Sequence, residues 1–259
     1  MNFYSQQGED FFLFITLANR FRLDGVIVEI GAFDGLTYSN SKFFEDTLGY
    51  RSLLIEPAEK SFQKLLKNRP NSICVNVAIG NVTGHKEFLG ENAIAGLVDA
   101  LPEMYITDLK AKGHTSTLCK VMVFDELIYQ YGLDHIDILS IDVEGAELEV
   151  LKGISTEFMA SSVSIVVIEL DSINPRKDLM CRLILEQAGF NRIFQLGIND
   201  FFVNPHSQRL RKLRKISDKL HDPREILANS KFFSLERNSA SEIIAKCLSF
   251  YERNLSKWS

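Results

Sequence analysis

The stretch VEIGAFDG, residues 28–35, decides the fold. An acidic residue, Glu29, lies inside an apolar run, and Gly31 and Gly35 follow where a strand would turn into a helix. A glycine-rich turn lets the backbone approach a ligand closely at the carboxyl end of a strand, where doubly wound sheets bind nucleosides. The spacing is E-x-G-x-x-x-G and lacks the G-x-G-x-x-G pattern of dinucleotide-binding turns. It therefore predicts the first strand of a nucleoside-binding sheet without a pyrophosphate cradle.

A second acid supports this interpretation. Glu56 closes the apolar run SLLIE (52–56), about twenty residues after Gly35. A carboxylate at the tip of the second strand can accept hydrogen bonds from both hydroxyls of a ribose. The two motifs together are more specific than either one alone, and they predict a ribose site at Glu56.

Runs rich in Val and Ile alternate with helical patterns from residue 26 onward. This order predicts a doubly wound, mostly parallel, seven-stranded α/β sheet with right-handed crossovers, closed by an antiparallel hairpin over residues 191–203 with a turn near 197–200. The other predicted strands are VIVEIG (26–31), SLLIE (52–56), ICVNVAI (73–79), IDILSID (136–142) and VSIVVIEL (163–170). The predicted helices of this domain are 39–47, 60–68, 124–131, 146–152 and 177–187.

The composition is that of a folded globular protein, because 46% of the 259 residues are hydrophobic and 24% are charged. These values exclude intrinsic disorder, collagen and a disulfide-stapled miniprotein. The four cysteines are far apart and form no C-x-x-C, so we expect neither a zinc site nor a redox pair. The N-terminus lacks the pattern of a signal peptide, and no apolar run is long enough to span a bilayer. We expect a cytoplasmic protein without a transmembrane segment.

The net charge of −5 hides an asymmetry. Residues 209–259 contain 12 basic and 6 acidic residues, a net of +6, which leaves −11 for residues 1–208. We therefore expect a main domain over residues 1–208, with a lid or acceptor segment at about 84–119, and a basic helical extension over 209–259. The extension should contain helices in RLRKLRKISDKL (209–220) and near 241–251. Its charge indicates contact with a diphosphate, an anionic membrane surface or a second copy of the chain, unless it is a solvated helical face.

Several blocks of the chain, in order from residue 4 to about 203, resemble FkbM-type methyltransferases. The most specific block is IDVEGAE (141–147). The others are YSQQGED (4–10), EIGAFDGLTYSN (29–40), FFEDTLGYRSLLIEP (43–57), NRP (68–70), NVAIG (76–80) and the remainder of IDILSIDVEGAELEVLKG (136–153). The resemblance implies a class I, Rossmann-like fold and an O-methyltransferase that uses S-adenosylmethionine. It implies acceptors such as sugars of surface glycans or natural-product hydroxyls, while the lid segment matches loosely and the basic extension lies outside it.

The resemblance also implies cofactor-binding roles by position. The first motif should line the methionine end of the cofactor, Glu56 should bind the ribose, and Ala78 and Ile79 should flank the adenine. The N-terminal block should fold over the cofactor, although a polar helix cap before FFLFI explains Ser5, Gly8 and Glu9 equally well. The expected cofactor residues are Gln6, Glu29, Gly31, Ala32, Asp34, Gly35, Ser39, Glu56, Pro57, Ala78, Ile79 and Asp142.

Methyl transfer to an alcohol needs a group that aligns the hydroxyl with the S–CH3 bond and takes or shares its proton. Asp142 and Glu144 lie at the end of the predicted fourth strand and Glu169 at the end of the fifth. Tips of adjacent strands are about 5 Å apart, so these acids should converge. Two interpretations stay open. Either Asp142 and Glu169 hold a divalent cation such as Mg²⁺, which binds the acceptor hydroxyl, or Asp142, Glu144, Glu169 or His114 in the lid segment acts as a base without metal.

The predicted function is therefore methyl transfer from S-adenosylmethionine to a sugar hydroxyl, in bacterial surface polysaccharide or related glycan biosynthesis, including sugars linked to a nucleotide or lipid carrier. One alternative is the methylation of a small non-sugar metabolite. An alternative of a different class is a catalytically idle nucleoside-binding module. The missing G-x-G-x-x-G argues against a NAD-dependent oxidoreductase, and the acidic main domain without a basic-aromatic groove argues against nucleic acid as a partner.

Overall fold

The computed structural model describes residues 1–17, 24–213, 223–234 and 240–258 of the chain. Apolar runs form strands where the hydrophobic pattern predicts them, because strands that are covered on both faces consist mainly of buried residues. The strands are β1 Asn2–Phe3, β2 Val26–Ile30, β3 Arg51–Ile55, β4 Ile73–Val75, β5 Ala78–Gly80, β6 Gly84–Leu89, β7 Gly96–Leu97, β8 Ser116–Val123, β9 Ile136–Ile141, β10 Val163–Glu169, β11 Asn191–Leu196, β12 Asn199–Val203 and β13 Lys231–Phe232.

All five helices predicted for the main domain are present, with ends shifted by up to a few residues. Local signals explain some of these ends: α8 begins after Asn174, whose side chain accepts a hydrogen bond from Lys177 N, and α2 ends at Gly49 with φ +67°. The helices are α1 Glu9–Leu17, α2 Lys42–Leu48, α3 Glu59–Asn68, α4 Glu103–Ala111, α5 Phe124–Gln130, α6 Glu147–Lys152, α7 Thr156–Ser162, α8 Pro175–Gln187, α9 Gln208–Leu213, α10 Pro223–Ala228 and α11 Ala240–Trp258.

The main sheet has the strand order β11-β12-β10-β9-β2-β3-β4. Its central strands are parallel, and β12 runs antiparallel to both of its neighbours. This confirms the doubly wound, mostly parallel sheet and its closing hairpin, although pairing resumes at Asn199 and the turn is shorter than predicted. The chain leaves β2 on one side through β3 and β4 and later continues on the other side through β9 and β10. Such a reversal opens a crevice at the carboxyl ends of β2 and β9.

The prediction of one strand over residues 73–79 is wrong. β4 pairs with β3 in the main sheet, whereas β5 leaves that sheet and pairs with β8. Asn76 lies at the break, and its side-chain amide donates hydrogen bonds to the carbonyls of Glu56 (2.9 Å) and Pro57 (3.1 Å). These two bonds hold the chain in the bend and explain why a continuous apolar run does not form a continuous strand.

The predicted lid segment, 84–119, forms most of a second sheet with the order β5-β8-β6-β7, in which β5 and the end of β8 lie outside those bounds. α4 connects β7 to β8. Apolar side chains of this sheet, including Phe88, Leu97 and Val121, pack against Ala146 of the main domain. At Gly145 (φ +108°) an added Cβ would lie 2.4 Å from Ala100 O. The backbone that follows β7 therefore lies directly against the loop that follows β9.

A second hydrophobic core contains many of the phenylalanines. Phe3, Phe11 and Phe12 pack there with residues of the C-terminal extension, such as Ile243 and Phe250. β13 also pairs in parallel with β1. The extension therefore packs directly on the N-terminal segment, and α11 contains the predicted helix 241–251. Among the described helices, none is long and apolar enough to cross a membrane.

The basic stretch 209–220 lies only partly within the described residues. Arg209 at its start forms an ion pair with the buried Asp137, with 2.7 Å between Nε and Oδ1. This cation therefore stabilises the fold by pairing with the main sheet. Residues 214–220, which include Arg214 and Lys215, lie outside the described part of the chain.

Arg69, in the NRP block, is the largest of the fully buried side chains. Its guanidinium donates to both carboxylate oxygens of Glu45, at 2.7 and 3.2 Å, and to Gly35 O at 3.0 Å. It also donates to the hydroxyls of Ser41 (3.1 Å) and Ser52 (3.2 Å). One buried cation thus connects the turn after β2 with α2 and β3.

Arg69→Met should lower the free energy of unfolding by about 3–5 kcal/mol, because it leaves the Glu45 carboxylate and several buried acceptors without their partner. Urea denaturation measures the change. The matched control is Lys112→Met, which removes the exposed pair with Asp108 and should cost no more than about 0.5 kcal/mol. Equal losses in the two variants would contradict the role assigned to Arg69.

Candidate functional site

An open cavity lies at the carboxyl ends of β2, β3, β9 and β10, with about 890 Å³ of space including the solvent at its mouth. The main sheet, the N-terminal segment and the second sheet all contribute to its walls. Three of the predicted cofactor residues, Asp34, Gly35 and Ser39, are not among the residues that line the cavity. The other nine line the cavity: Gln6, Glu29, Gly31, Ala32, Glu56, Pro57, Ala78, Ile79 and Asp142.

Gly31 brings the tips of two strands together. Its φ is +89°, and an added Cβ would lie 1.7 Å from Asp142 O. Its N–H donates to Ile55 O at 2.9 Å, while Asp142 N donates to Ile30 O at 3.0 Å. No side chain fits between these backbones, so the first glycine of the motif is required by close approach as well as by its backbone conformation.

Glu29 is buried below the cavity with both of its carboxylate oxygens hydrogen-bonded. One oxygen accepts from Asn40 N at 2.7 Å, and the other accepts from the hydroxyls of Ser39 (3.0 Å) and Ser41 (2.5 Å). Burial raises the pKa of Glu29, and the nearby Arg69 cation acts in the opposite direction. Glu29 therefore orients the residues before α2. Ser39 hydrogen-bonds this carboxylate and does not itself line the cavity.

Asp34 and Gly35 shape the turn itself. Asp34 Oδ1 accepts hydrogen bonds from Leu36 N (3.0 Å) and Thr37 N (2.7 Å). Gly35 has φ +74°, and an added Cβ would lie 2.4 Å from a methyl group of Leu65. The turn then presents Thr37 and the following tyrosine to the cavity. Both residues lie in the block EIGAFDGLTYSN, but the sequence analysis did not select them, since neither is an acid or a glycine of the motif.

Glu56 lies at the opposite end of the cavity from the later strands. Its two oxygens accept from Phe33 N and Ala58 N, both at 2.8 Å. Burial raises the pKa of Glu56 to about 8, and the negative charges of Glu91 and Asp34 add to the effect. The backbone hydrogen bonds fix the carboxyl orientation while each oxygen keeps a further acceptor position toward the cavity.

The wall beyond Glu56 is apolar. Ala78 and Ile79 contribute to it, and Phe88, Leu97 and Ala95 of the segment between β6 and β7 complete it. The last three were not predicted. The end of β6 is buried, but a short apolar pair in a mixed segment gives no signal that distinguishes a ligand wall from a core.

Three acids converge at the tips of β9 and β10. Asp142, Glu144 and Glu169 each place one carboxylate oxygen within 4.8 Å of the other two. The sequence analysis predicted this convergence from the strand order. Glu144 has φ +54°, a left-handed conformation that is uncommon for a residue with a side chain and is typical of functional sites.

The pKa values of all three acids are raised, mainly by loss of hydration at the cavity wall. The pKa of Asp142 rises to about 6 and that of Glu144 to about 9, where neighbouring carboxylates add to the effect. The pKa of Glu169 is raised furthest, by burial and by the negative charges of Asp142 and Glu144, and a hydrogen bond to Asp142 also favours its protonated form. At neutral pH the arrangement is therefore an ionised Asp142 that accepts a hydrogen bond from a protonated Glu169. The same oxygen set also fits a hard divalent cation.

Neighbouring candidates have structural roles or lie elsewhere. Glu147 forms an ion pair with Lys177 and accepts from Gly145 N at 2.9 Å, which stabilises the start of α6. His114, the alternative base, follows α4 and is half-buried. Its backbone N–H donates a hydrogen bond to Leu109 O at 3.0 Å. It is not among the residues that line the cavity, so the structure does not bring it to the three acids.

The C-terminal extension reaches the mouth of the cavity. Ser234 Oγ accepts a hydrogen bond from the backbone N–H of Tyr38, a lining residue, at 3.3 Å. The neighbouring Phe233 stacks on Tyr4 with 5.2 Å between ring centroids and is 60% exposed. The sequence analysis did not predict this contact, because no sequence motif marks the pairing of β13 with β1.

The strand order, the glycine turn and the cavity at the switch point define a Rossmann-like protein. The chain belongs to the FkbM methyltransferase family, because the family model described as methyltransferase FkbM domain matches residues 29–192, more than half of its length. The match contains the first motif, Glu56 and the three converging acids. The predicted family is thereby confirmed.

Two curated relatives match short parts of the chain. The AMB antimetabolite synthetase AmbE of Pseudomonas aeruginosa is 35% identical over 71 residues, 27% of this chain and 3% of that protein. The methyltransferase sdnD of Sordaria araneosa is 42% identical over 62 residues, 23% of this chain and 22% of that protein. The matched segments thus span less than a quarter of each relative.

Among solved structures, the methyltransferase FkbM of Methylobacillus flagellatus KT is similar with a TM-score of 0.45 and 18% identity, over 71% of this chain and 44% of that chain. The Aeropyrum pernix fibrillarin in complex with S-adenosyl-L-methionine has a TM-score of 0.42 and 13% identity, over 75% of this chain and 76% of that chain.

Gly31→Ala should destabilise the protein by at least about 3 kcal/mol, because the new methyl group would collide with Asp142 O in addition to straining the backbone. The control is Gly189→Ala, which has the same sign of φ (+90°) and no atom within 4 Å of the added Cβ. It should cost only about 1–2 kcal/mol, the strain of the left-handed backbone alone. Urea denaturation compares the two, and equal losses would show that strain alone explains Gly31.

Proposed function

We propose that the protein transfers a methyl group from S-adenosylmethionine to a hydroxyl group of a sugar. The observation that carries the proposal is the polarity of the cavity: a ribose-type carboxyl and an apolar wall form one end, and three acids form the other. Such a site suits a cofactor with a nucleoside at one end and a reactive sulfonium at the other. Membership of a methyltransferase family supports the same chemistry.

The cofactor is proposed to lie across the tips of β2 and β3. Glu56 accepts hydrogen bonds from both ribose hydroxyls, and the adenine lies between Ile79 and Phe88 on the apolar side. The methionine part then follows Gly31, where the absence of a side chain leaves room beside the backbone. Gln6 of the N-terminal segment covers this end.

The acids act on the acceptor hydroxyl. The acceptor oxygen attacks the methyl carbon in line, the O–CH3 bond forms as the S–CH3 bond breaks, and the sulfonium becomes a neutral thioether. Asp142 accepts the hydroxyl proton while Glu169, as its hydrogen-bond donor, holds the carboxylate in place. Alignment of the reacting atoms supplies most of the rate acceleration, because the sulfonium already activates the methyl group.

A divalent cation is the alternative aid to deprotonation. Asp142 and Glu169, with Glu144, would hold Mg²⁺ through carboxylate oxygens, and such an ion lowers the pKa of a bound hydroxyl. The protein groups have the same positions in both arrangements. The distinction therefore concerns what neutralises the three carboxylates, protons or a metal.

A sugar acceptor in bacterial surface polysaccharide or a related glycan, free or linked to a nucleotide, is supported by the aromatic residues at the cavity mouth. Tyr38 is 39% exposed and Phe233 is 60% exposed. Exposed rings of this kind offer apolar faces on which the C–H faces of a sugar pack. A small non-sugar metabolite is the second candidate, because one matched relative is an antimetabolite synthetase.

The proposal is tested with methyl-labelled S-adenosylmethionine and a panel of nucleotide-linked sugars, free glycans and hydroxylated metabolites. Label should transfer to a sugar of the panel, and Asp142→Asn should lower turnover at least about hundredfold at saturating cofactor. The control is Glu149→Gln, an acid of the same block that pairs with Lys152 on the surface of α6. Binding of S-adenosylhomocysteine without transfer to any acceptor would favour an idle binding module.

The same assay separates the two arrangements of the acids. Full transfer in excess EDTA supports proton acceptance by Asp142 alone. Loss of transfer in EDTA and its return with Mg²⁺ supports the metal.

The affinity for S-adenosylhomocysteine should increase with pH. The pKa of Glu56 is about 8, so the carboxyl is protonated below that value and must lose its proton to accept both ribose hydroxyls. The association constant should therefore rise up to about tenfold per unit from pH 6 toward 8 and level off above it. Calorimetry measures this, and Glu56→Gln should bind more weakly with a smaller slope. An unchanged slope in the variant would contradict the assignment.

A further inference from the structure

The outer face of α8 carries an exposed apolar patch. Leu179, Met180 and Leu183 are 55%, 45% and 38% exposed, and Ile173 just before the helix is also exposed. No other helix in the described part of the chain exposes more than one large hydrophobic side chain. Single exposed hydrophobic residues are common on soluble proteins, but a cluster of them on one helix is typical of a contact surface.

The exposed residues of α8 have the spacing of a helix–helix contact. An outward row with intervals of three, four and three residues consists of Arg176, Leu179, Leu183 and Glu186, all of them exposed. This is the spacing of the a and d positions along the contact line of paired helices. The opposite face of the helix, which contains Cys181, packs into the core of the main domain. α8 therefore has one face that the fold uses and a second face with the pattern of a helix pair.

The two charges that end this row are available for contacts outside the chain. The inner cations of α8, Lys177 and Arg182, form ion pairs with acids of the main domain. Among the described residues, neither Arg176 nor Glu186 has an ion-pair partner. They lie five residues on either side of residue 181, about 7.5 Å along the helix axis in each direction. The row is thus symmetric in position and opposite in charge.

We propose that this face of α8 binds a second copy of the chain, with the two helices antiparallel about a two-fold axis at residue 181. Arg176 then lies opposite Glu186 of the partner subunit, and Leu179 lies opposite Leu183 of the partner subunit. The symmetry repeats both contacts. A parallel pair would instead place Arg176 opposite its own copy, so the charges select the antiparallel arrangement. The contact lies in the main domain and does not involve the basic extension.

Sedimentation velocity of the full chain from roughly 1 to 200 µM tests the inference. A pair of short helices buries a small area, so the native protein should dimerise weakly, with a Kd on the order of 10 µM. Leu183→Glu should weaken the dimer at least about hundredfold, because it places an unpaired charge from each copy in the apolar centre of the contact. The control Leu118→Glu changes a leucine of β8 that is 74% exposed and should dimerise as the native protein does.

Exchange of the two charges tests the antiparallel geometry. Arg176→Glu and Glu186→Arg should each weaken the dimer roughly tenfold, because each places like charges opposite each other twice. The double variant restores opposite charges and should dimerise within about threefold of the native protein. Circular dichroism checks that each variant is folded.

Two results would overturn the inference about α8. One is a native protein that stays monomeric over the whole concentration range, which would leave this face to a different partner. The other is a dimer that Leu183→Glu does not weaken. A double charge variant that dimerises no more tightly than either single variant would overturn the antiparallel pairing.

Discussion

The burial of one positive charge, on Arg69, is the constraint on which the geometry of the site depends. A guanidinium without water must have its donors satisfied, and here the acceptors are the Glu45 carboxylate, the Gly35 carbonyl and the hydroxyls of Ser41 and Ser52, which belong to three different segments. Those segments are the turn after β2, the start of α2 and the strand β3. The same cation opposes the rise in the pKa of Glu29, the acid that orients residues 39–41. A charge far from any reacting atom therefore determines the shape of the cavity floor.

Above this floor, the functional groups owe their proximity to parallel strands. The carboxyl ends of β2, β3, β9 and β10 meet at one edge, so Glu56, Asp142 and Glu169 line one cavity although they are distant in sequence. Removal from water raises the pKa values of all three, which links ligand binding to proton release. The two ends differ in what surrounds the acids: backbone N–H groups at Glu56, and other carboxyl groups at Asp142.

Much of the fold was predictable because it depends on local patterns. The central strands of the main sheet and the helices between them follow from apolar runs and helical periodicity, and the nucleoside end follows from two motifs with restrictive spacing. The sequence predicted only a lid or acceptor segment where the second sheet lies, because the strands of this sheet are short, mixed in polarity and paired across a long segment. Asn76 divides one apolar run between two sheets. Hydrophobic periodicity gives no indication of the two carbonyls to which its side chain donates hydrogen bonds.

The sequence by itself determined the doubly wound, mostly parallel sheet, the need for glycine at residue 31 and the residue types of the acids, because these depend on hydrophobic pattern and motif spacing. Only the tertiary structure decided which of them face the cavity. Asp34 and Ser39 form structural hydrogen bonds, and His114 lies outside the cavity. Tyr38 lines the cavity from within the first block, and Asn92 lines it from a segment without a motif. The physical reason is that side-chain direction depends on packing between distant segments, and the free energy of burying or pairing a polar group is known only once its neighbours are known.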